Sequence, residues 1–178
     1  KAWPERGSIP ERTPAAGGMA APPSAMPADP SIAEIAELGV AVVGQPGLLR
    51  EVALRYERLL SAAQRARLQP WREVLDAGIP LAFSTDAPVS RAGPLLASAA
   101  ASSSRRLQSI APEQAVRPLE ALQAWTAGAA DVTCLKDRGR LRVGQLADLV
   151  LVDGPVEEDP GSCTVRLTLV AGAVAHGT

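Results

Sequence analysis

Apolar residues recur along this chain with two different spacings, helix-like in its first three quarters and strand-like near its end. "DPSIAEIAELG" predicts a short helix: Asp29 is suited to cap it and Pro30 to open it. Ile32, Ile35 and Leu38 share a face, and Gly39 stops it. "VAVVGQPG" follows as an apolar run of strand type, closed by Gly44, Pro46 and Gly47. From Leu48 to Arg67 the pattern predicts one helix or two, with Leu49, Val52, Tyr56, Leu59 and Leu60 as the inward stripe. The rhythm then repeats, with a helix after Pro70, a turn at Ala77-Gly78 and a strand from Ile79 to about Ser84. Two helix–strand units in succession make an α/β pattern.

Residues 89–118 read as loop and helix rich in small side chains. "PLEALQAWTAGAADVTCL" predicts a further helix with Leu119, Leu122, Trp125 or Thr126, and Ala129 on its apolar face. Beyond it "GRLRVGQLADLVLVDG" alternates on each side of Gly144. "TVRLTLVAGAVAHG" reads as two strands joined at Ala171-Gly172, with the acidic loop "GPVEEDPGS" before them. Residues 1–28 differ from all of this. They are rich in Pro and Ala and poor in β-branched residues, so burial cannot offset their chain entropy, and a disordered or irregular arm is expected.

Composition narrows the function. At 178 residues the chain is shorter than the roughly 250 of a closed eight-stranded α/β barrel. Hydrophobic residues make up 47%, yet Gly, Pro or charge interrupts every apolar stretch before the roughly 20 residues of a membrane helix, so no membrane partner is expected. Eighteen basic and nineteen acidic residues leave no basic block, and one Tyr and one Phe offer little base stacking; nucleic acid is not expected as a partner. Cys134 and Cys163 lack CxxC or Cys/His spacing, which suits reduced thiols in a cytoplasm. The chain opens on Lys1 without a signal-peptide pattern and is read as the tail of a longer protein.

One carboxylate stands out. In "IPLAFSTDAPVS" a strand of buried type delivers Asp86 at its carboxyl end, with Pro88 stopping the strand. In α/β barrels the reactive groups sit at such strand ends. There an aspartate can ligate a metal, accept a proton, or simply cap the next turn. Gln45 occupies the equivalent end of the preceding strand and is a candidate substrate contact, with a loop hydrogen bond as its alternative. Trp71 and Trp125 suit packing, Arg105-Arg106 a solvated helix face, and His176 an exposed tail position.

The ordered series "IAELGVAVVGQPG", "WREVLDAGIPLAFSTDAPV", "LEALQAWTAGAADV", "RGRLRVGQLADLVLVD" and "VRLTLVAGAVAHG" resembles the C-terminal part of metal-dependent amidohydrolases. The likeness is greatest to amidohydrolase family 3, the group that includes N-substituted formamide deformylases. The resemblance implies an α/β fold, a C-terminal fragment of a (β/α)8 metallo-hydrolase barrel plus part of a small β-sandwich. Residues 29–137 are then the last barrel units and 138–178 the returning sandwich strands. It implies hydrolysis of a carbon–nitrogen bond in a small amide-like substrate, with a divalent metal, zinc, as cofactor. Asp86 matches the aspartate after the last barrel strand, which binds the metal or takes a proton from metal-bound water. Ser84-Thr85 departs mildly from the usual residues there. The family's His-x-His pair and further histidines have no counterpart, since His176 is the single histidine. Three readings follow: a fragment of a full enzyme, favoured because residues 1–28 resemble an unrelated reading of GC-rich coding sequence; a decayed remnant; or a subunit whose partner supplies the missing half.

Overall fold

The computed structural model describes residues 32–89 and 111–177. The expected arm over 1–28, the cap at Asp29-Pro30 and the Arg105-Arg106 helix face lie outside the described residues.

The first part is α/β. Helix α1 (Ile32–Glu37) ends at Gly39, whose φ of +62° is a backbone state that favours glycine. Strand β1 (Val42–Gly44) leads into α2 (Pro46–Leu59), which has proline in its first turn, and then α3 (Ala62–Ala66), capped by Ser61 with a reciprocal Gln64 contact. Helix α4 (Trp71–Asp76) and strand β2 (Leu81–Phe83) complete the second unit. β1 and β2 pair in parallel with Val42 opposite Leu81, Val43 opposite Ala82 and Gly44 opposite Phe83. Parallel neighbours need a crossover, which α2 to α4 provide.

The core lies on the helical side of this pair. Leu81 and Phe83 are buried against Trp71, Val74, Ala53 and the alanines Ala121 and Ala124. Trp71 meets Phe83 edge-on at 4.9 Å between ring centroids, and Phe83 meets Trp125 at 6.3 Å, within the range where tilted aromatic pairs attract. Two expected stripes are corrected here. Ile32, Ile35 and Tyr56 pack against the core as expected, but Leu38 and Leu59 are exposed, and the fully buried position of α2 is Ala53. After β2 the chain forms α5 (Pro118–Gln123), a π turn (Ala124–Gly128) and α6 (Ala129–Val132). Its buried side chains are Ala121, Ala124 and Ala130, while Leu119 is exposed. Close approach explains the shift: a Cβ on Gly128 would lie 2.2 Å from the Leu81 carbonyl oxygen, so the small-residue face docks on β2, while Leu122 and Trp125 of the expected stripe pack partly buried against the core.

The last part is an antiparallel sheet of β3 (Leu149–Asp153), β4 (Thr164–Val170) and β5 (Ala173–Gly177), in the order β3-β4-β5. The β4–β5 turn at Ala171-Gly172 has φ of +49° and +80°, the pair of positive values that a two-residue hairpin favours. Asp148 holds this turn, its Oδ1 accepting the Ala171 N–H at 2.8 Å. Gly144 turns the chain at φ +89°. Of the alternating runs expected on each side of Gly144 in "GRLRVGQLADLVLVDG", a strand forms only from Leu149, because residues 139–148 are taken up by turns and by anchoring contacts. Among these, Arg140 clamps Asp131 through two hydrogen bonds of 2.8 and 2.6 Å, and Leu146 N–H donates to the Asp137 carbonyl. No helix among the described residues is long and apolar enough to cross a membrane.

Candidate functional site

The carboxyl ends of β1 and β2 lie side by side, as the parallel register requires. Beyond the paired residues Ser84 N–H donates to the Gly44 carbonyl at 2.8 Å, so the ladder extends one step further and brings Gln45 opposite Ser84. Their side chains meet: Gln45 Nε2 donates to Ser84 Oγ at 3.4 Å. Side chains alternate faces along a strand. Leu81 and Phe83 face the helices, so Ala82, Ser84, Val43 and Gln45 belong to the opposite face.

Asp86 follows two residues later. It is exposed, with φ +55°, a left-handed state that aspartate tolerates better than most residues. Its carbonyl accepts the Val89 N–H at 2.8 Å, and Thr85 Oγ1 accepts the Ala87 N–H at 3.3 Å. These two bonds and the cis Ala87-Pro88 peptide form a tight turn in which Asp86 is exposed. Beneath the strand ends, Gly44 makes room for the Trp71 indole: a Cβ there would sit 2.7 Å from Nε1.

The other expected candidates lie elsewhere. His176 is exposed on β5, opposite Thr168, as part of a strand and not a trailing tail. Cys134 and Cys163 are both free thiols. Among the described residues no group of three or more His, Cys, Asp or Glu side chains converges. Asp86 is thus the carboxylate that the described ends of β1 and β2 present, and the described donor set does not fit a complete metal centre.

A second polar cluster was not anticipated from sequence. Glu120 accepts from Arg72 Nη1 and Nη2 at 3.2 and 3.1 Å, from Arg117 Nη2 at 2.7 Å, and from the Arg117 backbone N–H at 2.8 Å. Burial opposes its charge, but the hydrogen bonds from Arg117 and Arg72, with the Arg72 charge, prevail and hold its carboxyl down to about 2. A cleft of about 330 Å³ adjoins it, lined by Leu75, Leu81, Gln123, Gly128 and Arg140. Leu81 opens β2, so this cleft is at the amino end of the strand, away from Asp86. Its charged groups are already taken up: Glu120 by two arginines and Arg140 by Asp131. The arginine ladder around Glu120 had a readable trace in "RPLE", where a glutamate three residues after the helix start can cap it. Ser84 had no such trace, because its role depends on strand register.

A family model described as "Amidohydrolase family" matches residues 10–176, so the match begins within the segment expected to be an arm. Among solved structures the chain is similar to an uncharacterized metal-dependent hydrolase from Pyrococcus horikoshii OT3. Identity is 25% and the TM-score 0.63, over 74% of this chain and 28% of that one. A similar protein from Pyrococcus furiosus gives 27% identity and a TM-score of 0.59, over 72% and 26%. Atrazine chlorohydrolase TrzN from Arthrobacter aurescens TC1, complexed with zinc, gives 26% identity and 0.60, over 82% and 33%. A comparison with curated proteins found no match. The chain spans about a quarter to a third of the length of these structures. The likenesses bear out the fold class: an α/β portion of a metallo-hydrolase (β/α)8 barrel with a small β domain.

Proposed function

The chain belongs to the amidohydrolase family, and from that membership we propose that it carries part of a hydrolase for carbon–nitrogen bonds other than peptide bonds. The observation that carries this reading is Asp86, a lone carboxylate at the carboxyl end of β2 beside the end of β1. Asp86 takes a proton from the attacking water and returns it to the departing nitrogen, a role for which a positioned carboxylate contributes about 10²–10⁴-fold. Gln45, at the neighbouring strand end, contacts the substrate. A divalent metal, of which the zinc in the similar chlorohydrolase is an example, supplies Lewis acidity in this chemistry when bound. Asp86 is the residue here that would contribute to holding it. One carboxylate does not make a site, so no step is routed through the metal.

The substrate is a small amide-like molecule, and the formamide-deformylase-like subtype is supported by the context "VGQPG" and "PWREVLDAGIP". Two free thiols suit a cytoplasmic location. On this reading the 178-residue chain alone has little or no hydrolytic activity. Purified chain with added Zn²⁺ and N-benzylformamide should release formate no faster than buffer, and robust turnover would overturn that expectation. In any assembly that does turn over, Asp86→Asn should lower kcat by about 10²–10⁴-fold, and full activity in that variant would remove Asp86 from the mechanism. Reading the upstream coding sequence in all frames for a His-x-His pair tests the fragment reading.

A second reading, a non-catalytic interaction subunit, is favoured by the β3–β5 sheet, each of whose faces carries exposed apolar side chains, Leu151 and Val174 on one and Val150 and Val170 on the other. Co-purification with a polypeptide carrying the histidine-rich half would support it.

A further inference from the structure

The hydrogen bond between Gln45 and Ser84 leaves each side chain with one unused capacity. Gln45 gives a hydrogen from Nε2, so its Oε1 is left as an acceptor; among the described residues it has no partner. Ser84 Oγ receives that hydrogen and keeps its own, which has no acceptor among the described residues. Neither side chain caps a helix: Gln45 precedes α2 without making a side-chain cap bond. Both are partly exposed, and so open to a bound molecule. The contrast with Thr85 is informative, because its hydroxyl is engaged in the local turn.

From this geometry we infer that Gln45 and Ser84 form a specificity clip for an N–H-bearing amide. The Ser84 hydroxyl donates to the substrate carbonyl oxygen, and Gln45 Oε1 accepts the substrate N–H. One donor and one acceptor, tied together by a hydrogen bond, match a secondary amide and leave an N,N-disubstituted amide or an ester with an unmatched acceptor. A site built to hydrogen-bond a group discriminates strongly against the analogue that lacks it, because its own polar atom is then left unpaired. The pair faces away from the aromatic core, at the strand ends that lead to Asp86. The inference rests on the carbon–nitrogen hydrolase reading for the identity of the ligand, and on the strand register for the geometry.

The test is binding to the full 178-residue chain, which needs no turnover. The ¹⁵N-labelled protein is titrated with N-benzylformamide, and separately with N-benzyl-N-methylformamide and benzyl formate. The Gln45 side-chain amide and the Ser84 backbone amide are followed by NMR. The expected result is a saturable shift of both signals with the secondary amide, and binding weaker by about tenfold for the other two. Gln45→Leu, which removes the acceptor, should abolish the preference, whereas Ser84→Ala should weaken all three probes alike and Ser84→Thr, which keeps the hydroxyl, should restore them. Unchanged β3–β5 signals verify that the variants fold. Equal binding of the three probes overturns the clip, as does the absence of a saturable shift with any of them. A Gln45 amide turned the other way would present only donors and would give equal binding. If the clip fails while Asp86→Asn still cripples an active assembly, the hydrolase reading stands. If selective amide binding persists but no assembly cleaves a carbon–nitrogen bond, that reading fails and the clip remains a binding site.

Discussion

Glu120 shows how much one side chain can organise. It sits three residues into the α5 turn, caps the Arg117 N–H and binds two guanidinium groups, one from α4 and one from its own helix start. Its carboxyl titrates at about 2 against an ordinary 4.5. A depressed carboxylate contributes stability that is complete above the unfolded value and lost as pH falls through the folded one. The contribution should therefore be intact above about pH 4.5 and gone near pH 2. Solvent screens the exposed Arg117, so the effect is modest: Glu120→Gln should cost about 1–2 kcal/mol at pH 7 in urea denaturation, and nearly nothing at pH 2. A pH-independent difference between the two proteins would show that packing, not charge, is at work. Asp86 presents the opposite case at the same scale. Its exposure and its position in the turn after β2 were legible from "STDAP", whereas its left-handed backbone was not. Proline two residues on marks a turn, but the left-handed φ of Asp86 goes with the turn's own bonds, Val89 N–H to the Asp86 carbonyl and Ala87 N–H to Thr85 Oγ1.

At the scale of elements, helices and strands were mostly where periodicity put them, and the errors concern which face was buried. Helix α5 with its π turn illustrates the cause. Leucine at 119 and 122 marked one stripe, yet the surface of β2 near Leu81 accepts only a close-approaching backbone, and Ala121, Ala124 and Gly128 supply it. The π turn adds a residue to one helical turn and so rotates the succeeding face. Gly128→Ala would drive a methyl against the Leu81 carbonyl, and should destabilise by about 2–3 kcal/mol in chemical denaturation. An effect below about 0.5 kcal/mol, typical of surface sites, would mean that the helix can slide off the strand at little cost. Likewise, Leu59 looks like a stripe residue in a list, but α2 ends there and leaves it at the solvent edge.

The whole molecule raises the question of the β3–β5 sheet. "LVLV" in β3 is a continuous apolar run, the mark of a strand buried on both faces. The register places Leu149, Leu151, Leu167, Leu169 and Val174 on one face, and Val150, Val152, Val165 and Val170 on the other. Leu151 is 59% and Val174 68% exposed on the first, Val150 46% and Val170 56% on the second. A monomer rarely leaves contiguous apolar surface of more than a few hundred Å² open. The native chain should therefore enhance the fluorescence of the apolar dye ANS, and Leu151→Thr combined with Val174→Thr should reduce that enhancement. A chain that leaves the dye dark under native conditions would show that these faces are covered in solution.

By itself the sequence determined the order of the elements, the two texture regions, the turns at Gly39, Gly144 and Ala171-Gly172, and the placing of Asp86 at a strand end. All of these follow from local backbone preference and from the period of apolar residues, which a chain carries with it. Tertiary structure alone decided that alanines and not leucines meet β2, that Asp148 holds a hairpin twenty-three residues away, and that Gln45 reaches Ser84 across thirty-nine. Each of those depends on register or on how closely two backbones approach, and neither distance is written into any stretch of the chain read alone.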